Sequence, residues 1–357
     1  MERTFAVIHL DQYAANLKAI AATLPNTCKI MAIVKADAYG HGAKALAKVA
    51  IASGISALGV AWLKEATELR HAGITAPILL LSEPVDDRFQ EIIRQAITPT
   101  IYTPDFAKHL DAAAQKAGKK IPVHLKVDTG MNRIGCSTDT ALAMAKTILD
   151  HPNLALEGIF THLADASNTR SPYTRYQLAR FSHVLSELAA ENISVPIRHI
   201  ANSDAIRNFP QSWMDMVRAG IVTYDQVLTL KTRIAFVKTV PKGTAASYRC
   251  TFRTEEETTI ATLQAGYADG IPRELSDKGR VLIGGHFYPI FGTVCMDMMM
   301  VNLGPHCPPV KIGDEAVLIG SQGQNRIPLE EVAKLSGRIP YEIMCGIGKR
   351  VPRIYRS

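Results

Sequence analysis

From residue 11 to about 225 short apolar runs alternate with amphipathic stretches, and this alternation limits the chain to few folds. The runs are "KIMAIVKA", "SALGVAW", "APILLLS", "TPTIY", "VHLKVD", "LEGIFTHL" and "IRHIANS", with a final one around "MDMVRAGI". Between them lie helical patterns such as "GAKALAKVAIAS" and "TRYQLARFSHVLSELAAE". Continuous apolar strands are what burial on both faces demands, and eight of them suffice to close a parallel barrel. No glycine-rich phosphate loop follows the first run, so a (β/α)8 barrel is favoured over an open doubly wound sheet.

After about residue 229 the pattern changes to closely spaced short strands with turn signals, as in "TRIAFVKTVPKG", "TTIATLQAGYADG" and "VKIGDEAVLIG". This predicts an α/β barrel over residues 11–228 followed by a mainly antiparallel β domain over 229–357. Within the latter, "PLEEVAKLSG" predicts a short helix that opens on a proline and ends at a glycine, and "VPRIY" a closing strand.

Composition narrows the class further. The chain has 357 residues, 47% hydrophobic and 20% charged, and is long enough to bury a large core. Its net charge of +7 is spread among acids, and no zinc-finger, RNP or helix-turn-helix signature accompanies it, so no nucleic-acid partner is expected. Six cysteines stand far apart with no metal-ligand or disulfide spacing. The N-terminal "MERTFAVIHLDQYAANL" has neither a signal-peptide layout nor the length to span a bilayer, which predicts a cytoplasmic protein without a membrane partner.

Catalytic groups of such barrels come from the C-terminal ends of the strands. Lys35 ends the first apolar run, where burying a cation is unfavourable unless it is paired or neutralised. Lys126 and Arg133 lie in "VHLKVDTGMNR", His162 ends "GIFTH", His199, Asn202 and Ser203 lie in or after "IRHIANS", and Arg218, Gly220 and Ile221 occupy "VRAGI". Singly, each is ordinarily half of an ion pair or a satisfied core group. Their convergence on one barrel mouth makes them candidates.

The segments "VKADAYGHG", "HLKVDTGMNRIG", "FTHLADA", "RAGIVTY", "LQAGYADGIPR", "VCMDM" and "RIPYEIMC" resemble, in order and over nearly the whole chain, the bacterial alanine racemases, the pyridoxal 5'-phosphate enzymes of fold type III. The resemblance implies that a strand within residues 1–10 joins the β domain. It implies that Lys35 forms the Schiff base with pyridoxal phosphate, which needs a neutral amine. It assigns the phosphate to Tyr39, Ser203, Tyr341 and the backbone of Gly220 and Ile221, and sets Arg218 against the pyridine nitrogen, with His199 and Asn202 among the cofactor-binding residues.

Because guanidinium cannot accept a proton, the ring would be a weaker electron sink than one facing a carboxylate, which suits an enzyme that only moves one proton. The resemblance further implies two bases, Lys35 for one face and Tyr248 of the partner subunit for the other, with His162 between Tyr248 and Arg218. A homodimer with shared sites follows. Arg133 would steady the substrate carboxylate and Lys126, as a carbamate, would bridge to Arg133. The backbone of Met296 would also hold the carboxylate, while Tyr267, Asp297 and Tyr341 line a narrow entrance. The expected reaction is interconversion of L- and D-alanine, supplying D-alanine for the cell wall.

Three positions depart from the family pattern. Asp225 follows Tyr224 where glycine is usual, the connection to "LKTRIAF" is short, and Arg249 stands where a glycine normally follows the tyrosine base. A bulky cation there could shift the backbone or change which amino acid fits, leaving racemisation of serine or lysine as an alternative. A non-catalytic pyridoxal phosphate carrier is a second alternative, and it predicts no β domain.

Overall fold

The computed structural model describes residues 2–85 and 87–357. Two compact units emerge: one of Ala14–Ala38 and Ala43–Thr223, the other of the chain up to Tyr13, Tyr39–Gly42 and Tyr224–Ser357.

The first unit is the (β/α)8 barrel. Its strands, Lys29–Ile33, Ala57–Val60, Ile78–Leu80, Thr100–Ile101, Ile121–Asp128, Leu154–Phe160, Ile197–His199 and Met216–Ala219, coincide with the eight apolar runs. Seven of the runs are joined by parallel pairings or backbone bonds to their sequence neighbours, and Met216–Ala219 returns to pair with Lys29–Ile33. Two junctions rest on few bonds: Thr98 exchanges backbone bonds with Ile78 and Leu80, and Arg218 N–H donates to Ala201 O at 2.9 Å. Ala57–Val60, Ile78–Leu80 and Met216–Ala219 are buried along their whole length. The last of these carries Arg218, a charge in an otherwise apolar strand. Around the barrel the helices follow their end signals; Thr103, for example, caps Pro104–Ala117, with proline in its first turn.

The second unit is built on a nine-stranded sheet whose pairings are antiparallel except one. Leu228–Val240 pairs with both Thr258–Leu263 and Glu315–Gln322, so six strands close into a ring. Closure removes open edges from most of the sheet. The N-terminal strand Thr4–His9 lies between Leu228–Val240, antiparallel, and the C-terminal Arg353–Arg356, parallel. The expected helix is Leu329–Ser336, ended by Gly337 in the left-handed conformation at φ 67°. A further helix, Pro340–Gly346, carries Tyr341 and has no counterpart in the sequence prediction.

Candidate active site

Lys35 follows the buried strand Lys29–Ile33 and is half-buried. The backbone then enters a left-handed turn, with φ of 53° at Ala36, Asp37 and Ala38 and 52° at Tyr39. None of these is glycine, and each such L-residue costs about 1–2 kcal/mol. Strain of this kind persists only where surrounding bonds over-determine it. Here Ala38 N–H donates to Val34 O at 2.8 Å, Ala43 N–H to Asp37 Oδ1 at 2.7 Å, and Ala36 N–H to Glu65 Oε1 at 2.6 Å.

Two strands of the barrel, Ile121–Asp128 and Met216–Ala219, bring cations to the Phe160 ring between them. Lys126 Nζ lies 4.6 Å from the Phe160 ring centroid and Arg218 Cζ 5.3 Å from it. Burial pulls the Lys126 amine down to about 7, assisted by the charges of Arg218, Arg133 and Lys35 and opposed by Asp128. Burial, then Arg218, Lys126, Arg133 and Lys35, push His162 down to about 2, so its imidazole is neutral. Asp128 is partly committed elsewhere, its Oδ1 accepting from the N–H of Gly130 and Asn132 at 2.9 and 3.1 Å. The cluster therefore carries a net positive field suited to an anion.

Arg218 is fully buried. It donates to the carbonyls of Thr161 (2.8 Å), His199 (3.0 Å) and Ile200 (3.0 Å), and faces Nδ1 of His199 at 3.1 Å and Nδ1 of His162 at 3.4 Å. Among the described residues no carboxylate pairs with it, and burial lowers its pKa to about 9. His199 stacks on Phe160 with 9° between the rings, and its Nε2 lies 2.9 Å from Nδ1 of His124, whose Nε2 lies 3.4 Å from Glu157 Oε2. The direction of this chain follows from its ends. Arginine only donates and carboxylate only accepts, so His199 carries its proton on Nε2 and His124 on Nε2. Both nitrogens of His199 are thereby committed, Nδ1 to Arg218 and Nε2 to His124.

Gly158 makes room for this relay, since a Cβ there would lie 2.5 Å from the His124 ring. His124, Glu157 and Glu65 were not singled out by the sequence reading. Their partners lie 75, 33 and 29 residues away, and no local pattern marks them.

Beside Arg218, Asn202 Oδ1 caps Ser203–Asn208 by accepting from Ala205 N–H at 3.1 Å, and its amide donates to Leu163 O at 3.2 Å. Ser203 Oγ accepts from the N–H of Gly220 (3.0 Å) and Val222 (3.4 Å), drawing the loop that contains Ile221 against it. With two backbone N–H groups spent on its oxygen, the hydroxyl is held in place and keeps its own O–H to donate to an anion such as a phosphate oxygen. Arg133 is exposed and acts on Lys126 and His162 through its field.

In the second unit Tyr39 and Tyr341 meet edge-on, ring centroids 5.7 Å apart, and Tyr39 also packs on Tyr224 at 4.9 Å. Burial raises the Tyr39 phenol, which stays a hydrogen-bond donor. The Asp297 carboxylate accepts from Arg350 at 2.8 Å, and Arg350 also grips the buried Asp269. Tyr267 N–H donates to Cys295 O, and Ala268 N–H to Met296 O, both at 3.0 Å, so the segments that carry Tyr267 and Met296 are bonded side by side. Tyr248 is 69% exposed on a turn where Ser247, Arg249 and Cys250 have φ of 70°, 64° and 50°. Arg249 thus occupies the backbone region that favours glycine.

Residues 8–226 match the family profile "Alanine racemase, N-terminal domain" and residues 227–355 "Alanine racemase, C-terminal domain". The alanine racemase of Desulforamulus reducens is 43% identical over 370 residues, covering 99% of both chains. That of Halothermothrix orenii is 40% identical over 368 residues, covering 99% of this chain and 97% of the relative. Among solved structures, the alanine racemase of Clostridium difficile 630 superposes with a TM-score of 0.94 at 35% identity, covering 100% of this chain and 96% of that one. The alanine racemase of Bartonella henselae, described with covalently bound pyridoxal phosphate, gives a TM-score of 0.89 at 29% identity, with full coverage of both chains. The cation-lined barrel mouth and the full-length match on both domains lead to one conclusion: this chain belongs to the alanine racemase family.

Proposed function

We propose that the chain interconverts L- and D-alanine with pyridoxal 5'-phosphate held on Lys35. The observation that carries this reading is Arg218, a fully buried guanidinium held by imidazoles and carbonyls with no carboxylate partner among the described residues. A donor so placed can face a ring nitrogen without protonating it. The donor set also fits the cofactor's anionic end: the field of Arg133 and Arg218 is positive, and the Ser203 hydroxyl, fixed by accepting from the N–H of Gly220 and Val222, has its own O–H to donate beside Ile221. When bound, pyridoxal phosphate supplies the electron-withdrawing ring that loosens the α proton of an amino acid.

The residues then divide the work. Lys35 holds the cofactor and moves the proton on one face. Tyr248 of the partner subunit moves it on the other, its phenol oriented by His162, which burial and then the charge of Arg218 keep neutral. Arg133 steadies the substrate carboxylate, with a carbamate on Lys126 bridging to it. Lys126 is suited to that modification because burial makes its amine neutral near pH 7. Tyr39, Tyr341 and Asn202 support the cofactor, and Met296, Tyr267 and Asp297 border the substrate. His199 acts through Arg218.

A homodimer with shared sites, a cytoplasmic location and supply of D-alanine to the cell wall belong to the same reading. Among the described residues no helix is long and apolar enough to cross a membrane. Borohydride reduction followed by peptide mapping tests the cofactor assignment, and loss of optical rotation of L-alanine by wild type, Lys35→Ala and Tyr248→Phe tests the reaction. A pyridoxyl label on another side chain, or on none, overturns the reading. Label without turnover of alanine, serine or lysine would make the chain a carrier.

A further inference from the structure

We propose that Glu65 is a positioning residue for Lys35, its carboxylate clamping the left-handed turn that begins immediately after the lysine. The inference rests on the reading of Lys35 as the cofactor-bearing residue.

Glu65 lies in the first turn of Leu63–His71, where an acid commonly caps its own helix. That role uses one oxygen: Oε2 accepts from the N–H of Ala61 at 2.8 Å and of Trp62 at 3.1 Å. The other oxygen leaves the helix altogether. Oε1 accepts from Ala36 N–H at 2.6 Å, in the shorter range typical of charge-assisted bonds. One carboxylate thus ties the segment after the strand Ala57–Val60 to the segment after the strand Lys29–Ile33. Ala36 is the first of four non-glycine residues with φ near 53°, and it is bonded covalently to Lys35. Neither Ala36 nor Ala38 has a side chain that could brace the turn itself. The external acceptor at Ala36 therefore fixes where the lysine's backbone leaves the strand, and a reacting amine needs that precision.

Glutamine at position 65 separates the two roles. A carboxamide has one acceptor oxygen, so whichever N–H group it serves, its NH2 faces another donor across the gap. Two N–H groups, those of Ala61 and Trp62, draw that single oxygen against one at Ala36, so it stays with the helix cap and Ala36 N–H is left facing a donor. Aspartate keeps the charge and the cap but is one methylene too short to reach Ala36.

The test is hydrogen exchange by mass spectrometry on full-length, cofactor-loaded wild type, Glu65→Gln and Glu65→Asp, with cofactor retention read by absorbance after dialysis. Both variants should exchange the amides of residues 36–40 at least ~10-fold faster than wild type and hold the cofactor at least ~10-fold more weakly. Glu65→Asp should leave residues 61–71 as protected as in wild type. Faster exchange confined to residues 61–71, with residues 36–40 and cofactor affinity within twofold of wild type, would reduce Glu65 to a helix cap and overturn the proposal. Should Glu65→Gln fail to fold, Glu65→Asp decides alone. Borohydride labelling of wild type in the same series keeps the two readings apart: a label away from Lys35 defeats the cofactor assignment, whereas unchanged exchange at 36–40 defeats only the clamp.

Discussion

Replacing His199 by phenylalanine probes how Arg218 is held. The ring survives, so stacking on Phe160 at 4.6 Å is kept while both nitrogen contacts vanish. Arg218 loses Nδ1 at 3.1 Å but keeps the backbone carbonyls of Thr161, His199 and Ile200. A hydrogen bond to a charged group contributes about 1.5–3 kcal/mol. His124, itself buried, is left with Nδ1 unsatisfied, a further cost of about 1–3 kcal/mol. The sum predicts roughly 2.5–6 kcal/mol lower stability, measurable by urea unfolding of holoprotein. If the guanidinium's position matters chiefly when charge shifts on the cofactor ring, the first loss should appear in kcat as about a 10–100-fold decrease, with KM for alanine little changed. Stability within 1 kcal/mol of wild type together with an unchanged kcat would refute the account of the relay.

Gly158→Ala should act on the same relay from the other side: its Cβ would sit 2.5 Å from the His124 ring, so a loss above ~2 kcal/mol is expected, and wild-type stability would show that the ring moves freely. Lys126 should carry a carbamate signal in 13C-bicarbonate NMR that grows as pH rises through about 7 and disappears on acidification; Lys126→Ala must remove it, and a signal that persists refutes the assignment. The same depression sets a stability trend. Between about 7 in the folded chain and the ordinary 10.5 the unfolded chain holds the extra proton, so this group makes folding more favourable as pH rises through that window, a contribution that Lys126→Met should abolish. Arg249→Gly should relieve about 1–2 kcal/mol of left-handed strain against about 0.5–1 kcal/mol of glycine entropy, a net gain of roughly 0–1.5 kcal/mol; destabilisation instead would mean that the guanidinium makes contacts that outweigh the strain.

The barrel was legible because buried parallel strands leave uninterrupted apolar runs, and all eight runs became strands. Lys35 and Arg218 were legible for the same reason, as isolated charges on such runs. The left-handed turn was not, since Ala36, Asp37 and Ala38 carry none of the glycine that marks that conformation. His124 sits in a strand like any other alternating residue, and only the fold brings it to His199 and Glu157. The six-strand ring depends on Leu228–Val240 meeting Glu315–Gln322, a long-range pairing that local periodicity does not encode. Pro340–Gly346 is too short to show a helical stripe.

The parallel pairing of Thr4–His9 with Arg353–Arg356 also constrains how the protein is made. Ala6 reaches the ribosome's exit hundreds of codons before its neighbour Arg353, about 35 s earlier at a translation rate near 10 residues per second. Throughout that interval the first strand has one flank without its final partner, and the barrel segments emerge in full before the terminal strand exists. A nascent chain stalled short of Arg353 would leave that flank exposed, a template for pairing with another copy and a site where a chaperone would have reason to bind.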